Sequence, residues 1–310
     1  MSETAVSRRR RSSAAGFTHR RARRSEAMGY AMVAPLLVFI LALALYPTVL
    51  TTIDAFMHID PLTPPNHFVG FGNFTAIFTN PEIRESFENT GWYVLFGVGL
   101  TLVLGTAFGL LLQRRFRGRG IVLAIVILPW ALPGVVEGVI WSWIYDPTFG
   151  VLNSLLKSLH LISQYQLFIG TRHLESILLT SLVQVWQITP LATLLVLASL
   201  QSIPGEVYEA ARVDGAGWWQ VIRRVTLPLI RPGLAIAAVE ALVLSLNIFD
   251  QVYVLNAGAT TASSVMSQTY FTTFQGLNFG QGYALSLLAT LVTVALSLGA
   301  LKILYRKVTF

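Results

Sequence analysis

Residues 209–219 read EAARVDGAGWW and interrupt a chain that is otherwise dominated by apolar runs. The stretch combines two carboxylates, an arginine, two glycines and two adjacent tryptophans. Because glycine readily adopts the left-handed conformation that ends helices, Gly215 and Gly217 predict a turn. Pro204 suits the first turn of a helix, so a short polar helix is predicted between Pro204 and Gly215.

A second helix is predicted directly after this turn. Its apolar residues recur at i, i+3, i+4 and i+7, which places on one face Trp218, Val221, Ile222 and Val225. A helix that lies on a membrane surface has the same pattern. That interpretation leaves the preceding Glu209, Ala210 and Ala211 unexplained. Small residues beside a charge favour close approach by a second protein.

The composition indicates an integral membrane protein. The 310-residue chain is 54% hydrophobic and 12% charged, whereas about a quarter of the residues in a soluble domain are charged. The absence of cysteine excludes disulfides, thiolate metal sites and cysteine nucleophiles. The five histidines are scattered without metal-ligand spacing, so no metal site is predicted.

Six stretches are long enough to cross a membrane, because a helix needs about 20 residues to span about 30 Å of hydrocarbon. The predicted fold class is therefore all-α, with transmembrane helices near Met28–Leu50, Thr90–Leu112, Gly120–Tyr145, Ile177–Leu200, Ala235–Leu255 and Gly282–Leu304. Two prolines in LPWALPG, residues 128–134, predict a kink in the third helix.

The basic residues predict cytosolic N- and C-termini. In this orientation, all but three of the 22 lysines and arginines fall in cytosolic segments. Residues 1–27 then form a basic, disordered cytosolic tail, and residues 28–310 form the membrane domain. The opening stretch falls in a cytosolic loop at about residues 201–231. Since topology explains the positive charge, no nucleic-acid partner is predicted.

The cytosolic loop resembles a known motif. Glu209-Ala-Ala, three residues, Gly215, nine residues and Val225-Thr-Leu-Pro match the EAA loop of ABC importer permeases, EAA-x3-G-x9-I-x-LP, with valine in place of isoleucine. The wider chain, from APLLVFILALALYPTV through FVGFGNF to FDQVYVL, is similar to carbohydrate-uptake permeases of the maltose and glycerol-phosphate type. Among these it most resembles the trehalose-uptake permeases of mycobacteria.

The resemblance implies the type I importer permease fold with six transmembrane helices. It also implies that the EAA loop is a coupling helix that docks in a cleft of an ATP-binding subunit. In that role Glu209 would pair with a basic group on the ATPase, and Ala210 and Ala211 would allow close packing. Gly215 would make the turn, with Asp214 beside it.

The chain itself is predicted not to be an enzyme. A phosphate-binding loop needs glycine and lysine before serine or threonine, and none of the three lysines follows a glycine. ATP and its magnesium ion would therefore be bound by partner subunits, and no cofactor is predicted in this chain.

Polar residues inside predicted helices indicate a substrate pathway, because polar groups in a membrane are costly. The fourth helix carries Gln184 and Gln187 one turn apart, and the fifth carries Asn247 and Asp250 at the same spacing. With Phe249 and Tyr253, these residues would suit a hydroxyl-rich ligand. Interhelical hydrogen bonding is the alternative role for such amides. Glu137 and Glu240 are assigned to neither role.

The predicted function is a permease subunit in the bacterial inner membrane that imports a sugar, such as trehalose, in an ATP-driven complex. The resemblance implies as partners a second homologous permease, two ATP-binding subunits, an extracytoplasmic sugar-binding lipoprotein and the lipid bilayer. Alternative cargoes are a polyamine, a phosphate ester or a peptide. An ion-coupled secondary transporter remains a weaker alternative, because no inverted repeat relates the two halves of the chain.

Overall fold

The computed structural model of the chain is mostly helical and describes residues 28–170, 172–256 and 261–305. The predicted tail, residues 1–27, lies outside this part of the chain. The described residues divide into two compact units, with the boundary after Asp54.

The first unit is one apolar helix, α1, which spans Met28–Asp54. It contains a wide π-helical turn at Leu41–Leu45, where the amide of Tyr46 donates to the carbonyl of Leu41. Pro47 lies two residues after this turn. Because proline has no amide hydrogen and its ring crowds the preceding turn, it favours the wider winding.

A short antiparallel hairpin opens the second unit. β1 (Met57–His58) pairs with β2 (His67–Phe68), and helix α2 follows at Gly72–Thr79. The buried Asn73 donates through Nδ2 to the carbonyl of Ala55 at 2.9 Å. The hairpin corrects the all-α prediction in a small way, since two-residue strands are too short to produce an alternating pattern.

The next helix, α3, spans Pro81–Gln113 and begins well before the predicted start at Thr90. The Asn80 side chain caps it by accepting from the amides of Glu82 and Ile83 at 2.9 and 3.4 Å. Asparagine at the cap, proline in the first position and an acidic residue near the positive helix end are all start signals. They are polar signals, so a search for apolar runs misses them.

The third predicted span is broken into two helices. α4 (Arg119–Ile127) continues as a 3-10 turn over Leu128–Ala131, and α5 spans Gly134–Ile144. The two parts are bent by 104°. The predicted kink at LPWALPG is confirmed, and it is a complete break because Leu132 and Pro133 have extended backbone.

A tight turn follows α5. The Asp146 carboxylate accepts from the hydroxyl and the amide of Thr148, at 2.6 and 2.7 Å, and from the amide of Phe149 at 3.1 Å. These hydrogen bonds lower the pKa of Asp146, and the bond from the Thr148 hydroxyl has the largest effect. The turn leads into α6, Val151–Ser158.

The helix–turn–helix predicted around the opening stretch is confirmed. The long helix α7 spans His173–Gln201. It is followed by α8, Gly205–Val213, and by α9, Trp218–Leu229, which includes a π-helical turn at Ile222–Thr226.

The fifth predicted span is not one helix. α10 spans Arg231–Leu246 and α11 spans Asp250–Leu255, with Asn247, Ile248 and Phe249 between them. The prediction of a continuous helix over Ala235–Leu255 is therefore wrong. No proline or glycine lies at this break, so its cause is the surrounding structure and not the local sequence.

The last elements are α12, Val265–Tyr270, a π-helical turn at Phe271–Gln275, and α13, Phe279–Leu304. Four helices in the described ranges, α1, α3, α7 and α13, are long and apolar enough to cross a membrane. Two bent pairs, α4 with α5 and α9 with α10, raise the count to six if each pair is one span. The number of six stays a prediction.

Glycines bring α3 and α7 into close contact. A Cβ atom placed on Gly105 would lie 3.0 Å from Cβ of Ala192, and one placed on Gly109 would lie 2.7 Å from Cγ1 of Val196. Small residues allow helix backbones to approach one another in this way. Because α10 packs on both helices, these three helices form the frame that holds the broken spans.

We expect Gly109→Leu to destabilise this frame, because overpacking a tight contact typically costs about 1–3 kcal/mol. The measurement is the temperature at which the purified protein loses its monodisperse chromatographic peak. Gly99→Leu on the same helix is the matched control, since a Cβ there meets nothing within 4 Å. Equal melting of the two variants would contradict the tight contact.

Candidate functional site

The two helix breaks meet through a pair of glycines. Gly134 and Gly138 lie one turn apart on α5 and face Asp250 and Val254 of α11. A Cβ atom on Gly134 would lie 2.9 Å from Cβ of Asp250, and one on Gly138 would lie 2.8 Å from Cβ of Val254. The small-xxx-small spacing allows this approach. The broken parts of both spans therefore lie side by side.

Two glutamines of α7 satisfy backbone carbonyls that the breaks set free. Nε2 of Gln187 donates to the carbonyl of Leu132 at 3.3 Å, and Nε2 of Gln184 donates to the carbonyl of Leu244 at 2.9 Å. In an unbroken α10 the amide of Ile248 would bond to Leu244. Membrane helices tolerate breaks where neighbours replace the lost bonds in this way. Both glutamines thus form the interhelical hydrogen bonds that the sequence left open.

A buried polar cluster, Glu137–Gln187–Gln251, connects α5, α7 and α11. Nε2 of Gln251 donates to Oε1 of Gln187 at 2.9 Å and to Oε2 of Glu137 at 3.2 Å. Glu137 is fully buried, and its Oε1 has no hydrogen-bond partner among the described residues. An unpaired buried acceptor is costly, so this oxygen is a hydrogen-bond acceptor that the described residues leave unsatisfied.

Asn247 and Asp250 occupy opposite sides of the break in the fifth predicted span. Asn247 ends α10, is exposed, and donates through Nδ2 to the carbonyl of Val243 at 2.7 Å. Asp250 begins α11 and is half-buried beside Gly134. The shared helical face predicted for this pair is wrong, because the helix ends between them. Asp250 borders the polar cluster, since it precedes Gln251 directly.

The two predicted aromatic residues belong to a larger aromatic group. The rings of Phe249 and Tyr253 stack with their centroids 5.5 Å apart. The ring of Tyr270, from α12, lies 5.4 Å from each of them, and Phe271 lies 6.1 Å from Tyr253. An aromatic cluster therefore lies next to the hydrogen-bonding groups at the break, with the ring of Tyr270 edge-on to that of Tyr253.

Gln251 and Tyr270 were not predicted as site residues, and Glu137 was predicted without a role. One signal could have found Glu137, since it lies inside Gly134-Val-Val-Glu-Gly138, a spacing typical of close helix packing. Gln251 directly follows the predicted Asp250. Tyr270 is far from both in sequence, and only the tertiary structure brings it to the site.

The loop of residues 201–231 contains a well-formed helix end. Gly215 has φ +74°, the left-handed conformation expected at this position. Its amide donates to the carbonyl of Arg212, and the amide of Ala216 donates to Ala211, each at 3.0 Å. This pair of bonds is the Schellman motif. On the other side of the turn, the amide of Gly217 donates to Oε1 of Gln220 at 3.1 Å and begins α9.

The motif residues of α8 form an open surface. Glu209, Ala210, Asp214 and Gly215 are exposed, whereas Ala211 is half-buried. Within the described residues, neither carboxylate of this group takes part in an ion pair. The surface therefore offers a negative charge and small side chains on a helix whose C-terminal end is capped by hydrogen bonds.

A family model described as the binding-protein-dependent transport system inner membrane component matches residues 101–309, which include both helix breaks and the α8–α9 loop. The chain belongs to this family. The resemblance to ABC importer permeases predicted from the EAA loop is confirmed.

Several similar proteins have names that identify them as sugar permeases. The trehalose/maltose transport system permease protein MalF of Thermococcus litoralis is 33% identical over 285 residues, covering 90% of the permease and 94% of that protein. The trehalose transport system permease protein SugA of Mycobacterium tuberculosis is 30% identical and covers 84% and 83%. Their names support the carbohydrate-uptake resemblance inferred from the sequence.

Solved structures share the fold of the permease. A chain from a bacterial ABC transporter involved in the import of the acidic polysaccharide alginate superimposes with a TM-score of 0.75, covering 90% of the permease and 96% of that chain at 23% identity. A chain of the MetNI methionine ABC transporter, in an inward-facing conformation, matches with a TM-score of 0.52 at 20% identity, covering 71% and 93%. At these identities the likeness concerns the fold alone.

Proposed function

We propose that the permease is a membrane-spanning subunit of an ATP-driven importer that carries a neutral sugar, such as the disaccharide trehalose, into the cell. The polar cluster at the two helix breaks, Glu137–Gln187–Gln251, is the observation that carries this proposal. Discontinuous helices in transporters commonly form the substrate site near the middle of the membrane. The names of the two sugar-transporting relatives support the choice of cargo.

The chemistry around the breaks suits an uncharged, hydroxyl-rich molecule. Amide groups both donate and accept hydrogen bonds, the free oxygen of Glu137 accepts one, and the rings of Phe249 and Tyr253 offer a flat face for a sugar ring. Residues 173–211 and 232–301 contain no lysine or arginine. An anionic cargo would therefore meet two carboxylates and no compensating positive charge.

We propose that Gln187, Asn247, Asp250, Phe249 and Tyr253 line the substrate pathway, together with Gln251 and Glu137. Gln184 belongs to the same wall of the pathway, but its role is structural. Its amide nitrogen donates a hydrogen bond to the carbonyl of Leu244. Asn247 is the most accessible of the polar groups, since its side chain is exposed at the break.

We propose that α8 is the coupling helix, which docks on a separate ATP-binding subunit. Glu209 pairs with a basic group there, Ala210 and Ala211 allow close packing, and Asp214 and Gly215 fix the turn. The capped and rigid helix end supports this role, because the motion of an ATPase must reach the spans as a rigid-body movement. ATP and magnesium then belong to the partner and not to this chain.

The proposed assembly contains two permeases, two ATP-binding subunits and an extracytoplasmic sugar-binding lipoprotein in the bacterial inner membrane. In this arrangement the permease crosses the membrane six times with both termini in the cytosol. The positive-inside distribution of its arginines and lysines supports that orientation. Affinity purification of the tagged chain should recover an ATPase. Sugar uptake by this chain alone, without ATP, would overturn the proposal.

We expect Asn247→Ala and Gln187→Ala to reduce sugar uptake by about fivefold and about tenfold, because losing a hydrogen-bond partner costs about 1–3 kcal/mol when its mate stays buried. Gln187→Ala has the larger effect, since it leaves Gln251 and Leu132 each without one partner. Uptake of radiolabelled trehalose by vesicles containing the whole importer is the measurement.

Gln201→Ala is the matched control for these variants, because Gln201 lies on the same helix α7, is exposed, and is far from the breaks. All three variants should assemble with the ATPase in normal amounts. Unchanged uptake by both pathway variants would show that the amides are structural. If only Gln187→Ala assembled poorly, its uptake could not be interpreted, and the uptake of Asn247→Ala would decide the proposal.

A further inference from the structure

A large apolar groove lies beside the α8–α9 loop. Its volume is about 1390 Å³, and it is bounded by α3, α8, α9 and the ends of α10 and α13. The α3 wall presents one stripe, Val103, Ala107, Leu111 and Arg114, at the spacing of a single helix face. An apolar trough that is about two helical turns long therefore ends at a positive charge.

Polar and aromatic groups gather at that same end. Arg114 of α3 and Arg212 of α8 both line the groove, together with Trp218 and Trp219. The two tryptophans are 65% and 61% exposed, with their ring centroids 6.1 Å apart. Trp218 was predicted to share one apolar face of α9 with Val221 and Ile222, and all three residues line this groove. Exposed tryptophans are enriched at the membrane–water interface.

A second groove repeats this arrangement. It has a volume of about 540 Å³ and shares Leu227, Leu234 and Leu304 with the first groove. Its own charged residues are Arg223 and Arg231. The second groove combines an apolar floor with two arginines, and the first combines one with Arg114, Arg212 and the carboxylate of Glu209.

The arginines on this side of the described chain lack acidic partners. The two ion pairs among the described residues involve Arg172 and His173, and neither lies near the grooves. Arg119 has a different role, because its Nε donates to the carbonyl of Leu112 at 2.7 Å and closes the end of α3. Among the described residues, neither Arg114 nor Arg212 is in an ion pair, and their two positive charges exceed the single negative charge of Glu209 in the same groove.

We propose that the larger groove binds one anionic phospholipid, with an acyl chain along Val103, Ala107 and Leu111 and the phosphate at Arg114 and Arg212. The combination of an apolar trough, two arginines and interfacial tryptophans matches the two chemically different parts of this molecule. A soluble phosphate compound would match only the arginines, and a neutral lipid only the trough.

The position of the groove gives the lipid an effect on coupling. Glu209 of α8 also lines the groove, so the lipid would bridge α3 and the helix proposed to contact the ATPase. This consequence rests on the proposed function, whereas lipid binding itself does not. A lipid that fixes α8 against α3 would make the transfer of movement from the ATPase more efficient.

The test compares lipid retention by the purified importer containing Arg114→Gln, Ala107→Trp or the control Arg117→Gln. Arg117 lies in the same basic run but does not line the groove. The probe is phosphatidylglycerol, counted per complex by native mass spectrometry after washing in mild detergent. Arg114→Gln should weaken its binding about fivefold, since each basic residue near a lipid surface contributes about 1 kcal/mol. Ala107→Trp should fill the trough and remove the lipid, and Arg117→Gln should retain it.

Several outcomes would overturn the proposal. Equal retention by all variants would show that the lipid lies elsewhere. Displacement of phosphatidylglycerol by millimolar inorganic phosphate would identify a soluble anion site, and equal retention of phosphatidylcholine would remove the role of charge. Cross-linking of position 107 to the second permease would show that a protein fills the groove. Loss of uptake with normal lipid retention would concern the proposed transport function alone.

Discussion

Replacing Glu209 with lysine is expected to reduce sugar uptake by about a hundredfold, because removing one partner of a buried charge pair costs about 3 kcal/mol or more. The substitution also places two positive charges face to face at the proposed ATPase contact. Glu209 is exposed and has no ion-pair partner among the described residues, so the folded permease does not depend on its charge. Uptake should fall while membrane insertion stays normal, and ATP hydrolysis should lose its stimulation by the sugar-loaded binding protein.

Glu206→Lys is the matched control for this experiment. Glu206 lies on the same helix α8, is exposed, and undergoes the same change of charge. It stands outside the EAA motif, so it should retain most of the uptake. Equal losses from both variants would indicate a general effect of positive charge on α8. Wild-type coupling in Glu209→Lys would refute the proposed contact.

The coupling loop could be predicted in detail because its structure is local. Gly215 ends α8 through hydrogen bonds to residues within the same turn, and proline and glycine mark both boundaries of that helix. Such signals act over a few residues and are legible in the sequence. The groove beside the loop was not predictable, because α3 supplies one of its walls from a part of the chain about 100 residues away.

The two helix breaks show the same contrast. A kink at LPWALPG was predicted because two prolines interrupt the hydrogen-bond ladder, and the structure has a complete break there. The break at Asn247–Phe249 has no such marker, and distant side chains stabilise it. The hydroxyl of Ser264 donates to the carbonyl of Ile248 at 2.6 Å, and Gln184 donates to Leu244. These contacts join residues that are distant in sequence, so a local sequence pattern does not predict them.

The candidate site was predicted in part for related reasons. Gln187 and Asn247 stood out because amides are rare and costly inside apolar helices. Glu137 was noticed on the same basis but could not be assigned, since its partner Gln251 is 114 positions away. The depth of each residue can be read from the sequence, whereas the face that it shows to another helix depends on packing.

Replacing Gly138 with leucine is expected to abolish most sugar uptake by forcing α5 away from α11. A Cβ atom at this position would already lie 2.8 Å from Cβ of Val254, so the larger side chain cannot fit without movement of one helix. That movement would break the hydrogen bond between Gln251 and Glu137, which connects these two helices directly. Overpacking costs about 1–3 kcal/mol, which corresponds to a loss of about fivefold to 150-fold in the population of the competent site.

Gly120→Leu is the control, because Gly120 lies on α4 of the same bent pair and a Cβ there meets nothing within 4 Å. Loss of the interior helical glycine should by itself stabilise the Gly138→Leu helix by about 1 kcal/mol, so helix propensity opposes the expected loss and cannot cause it. Uptake and retention of the ATPase should be measured together. Normal uptake in Gly138→Leu would show that the junction of the two breaks is not the pathway. Loss of uptake with a retained ATPase would place the defect at the proposed sugar site, because the coupling surface on α8 is then still engaged.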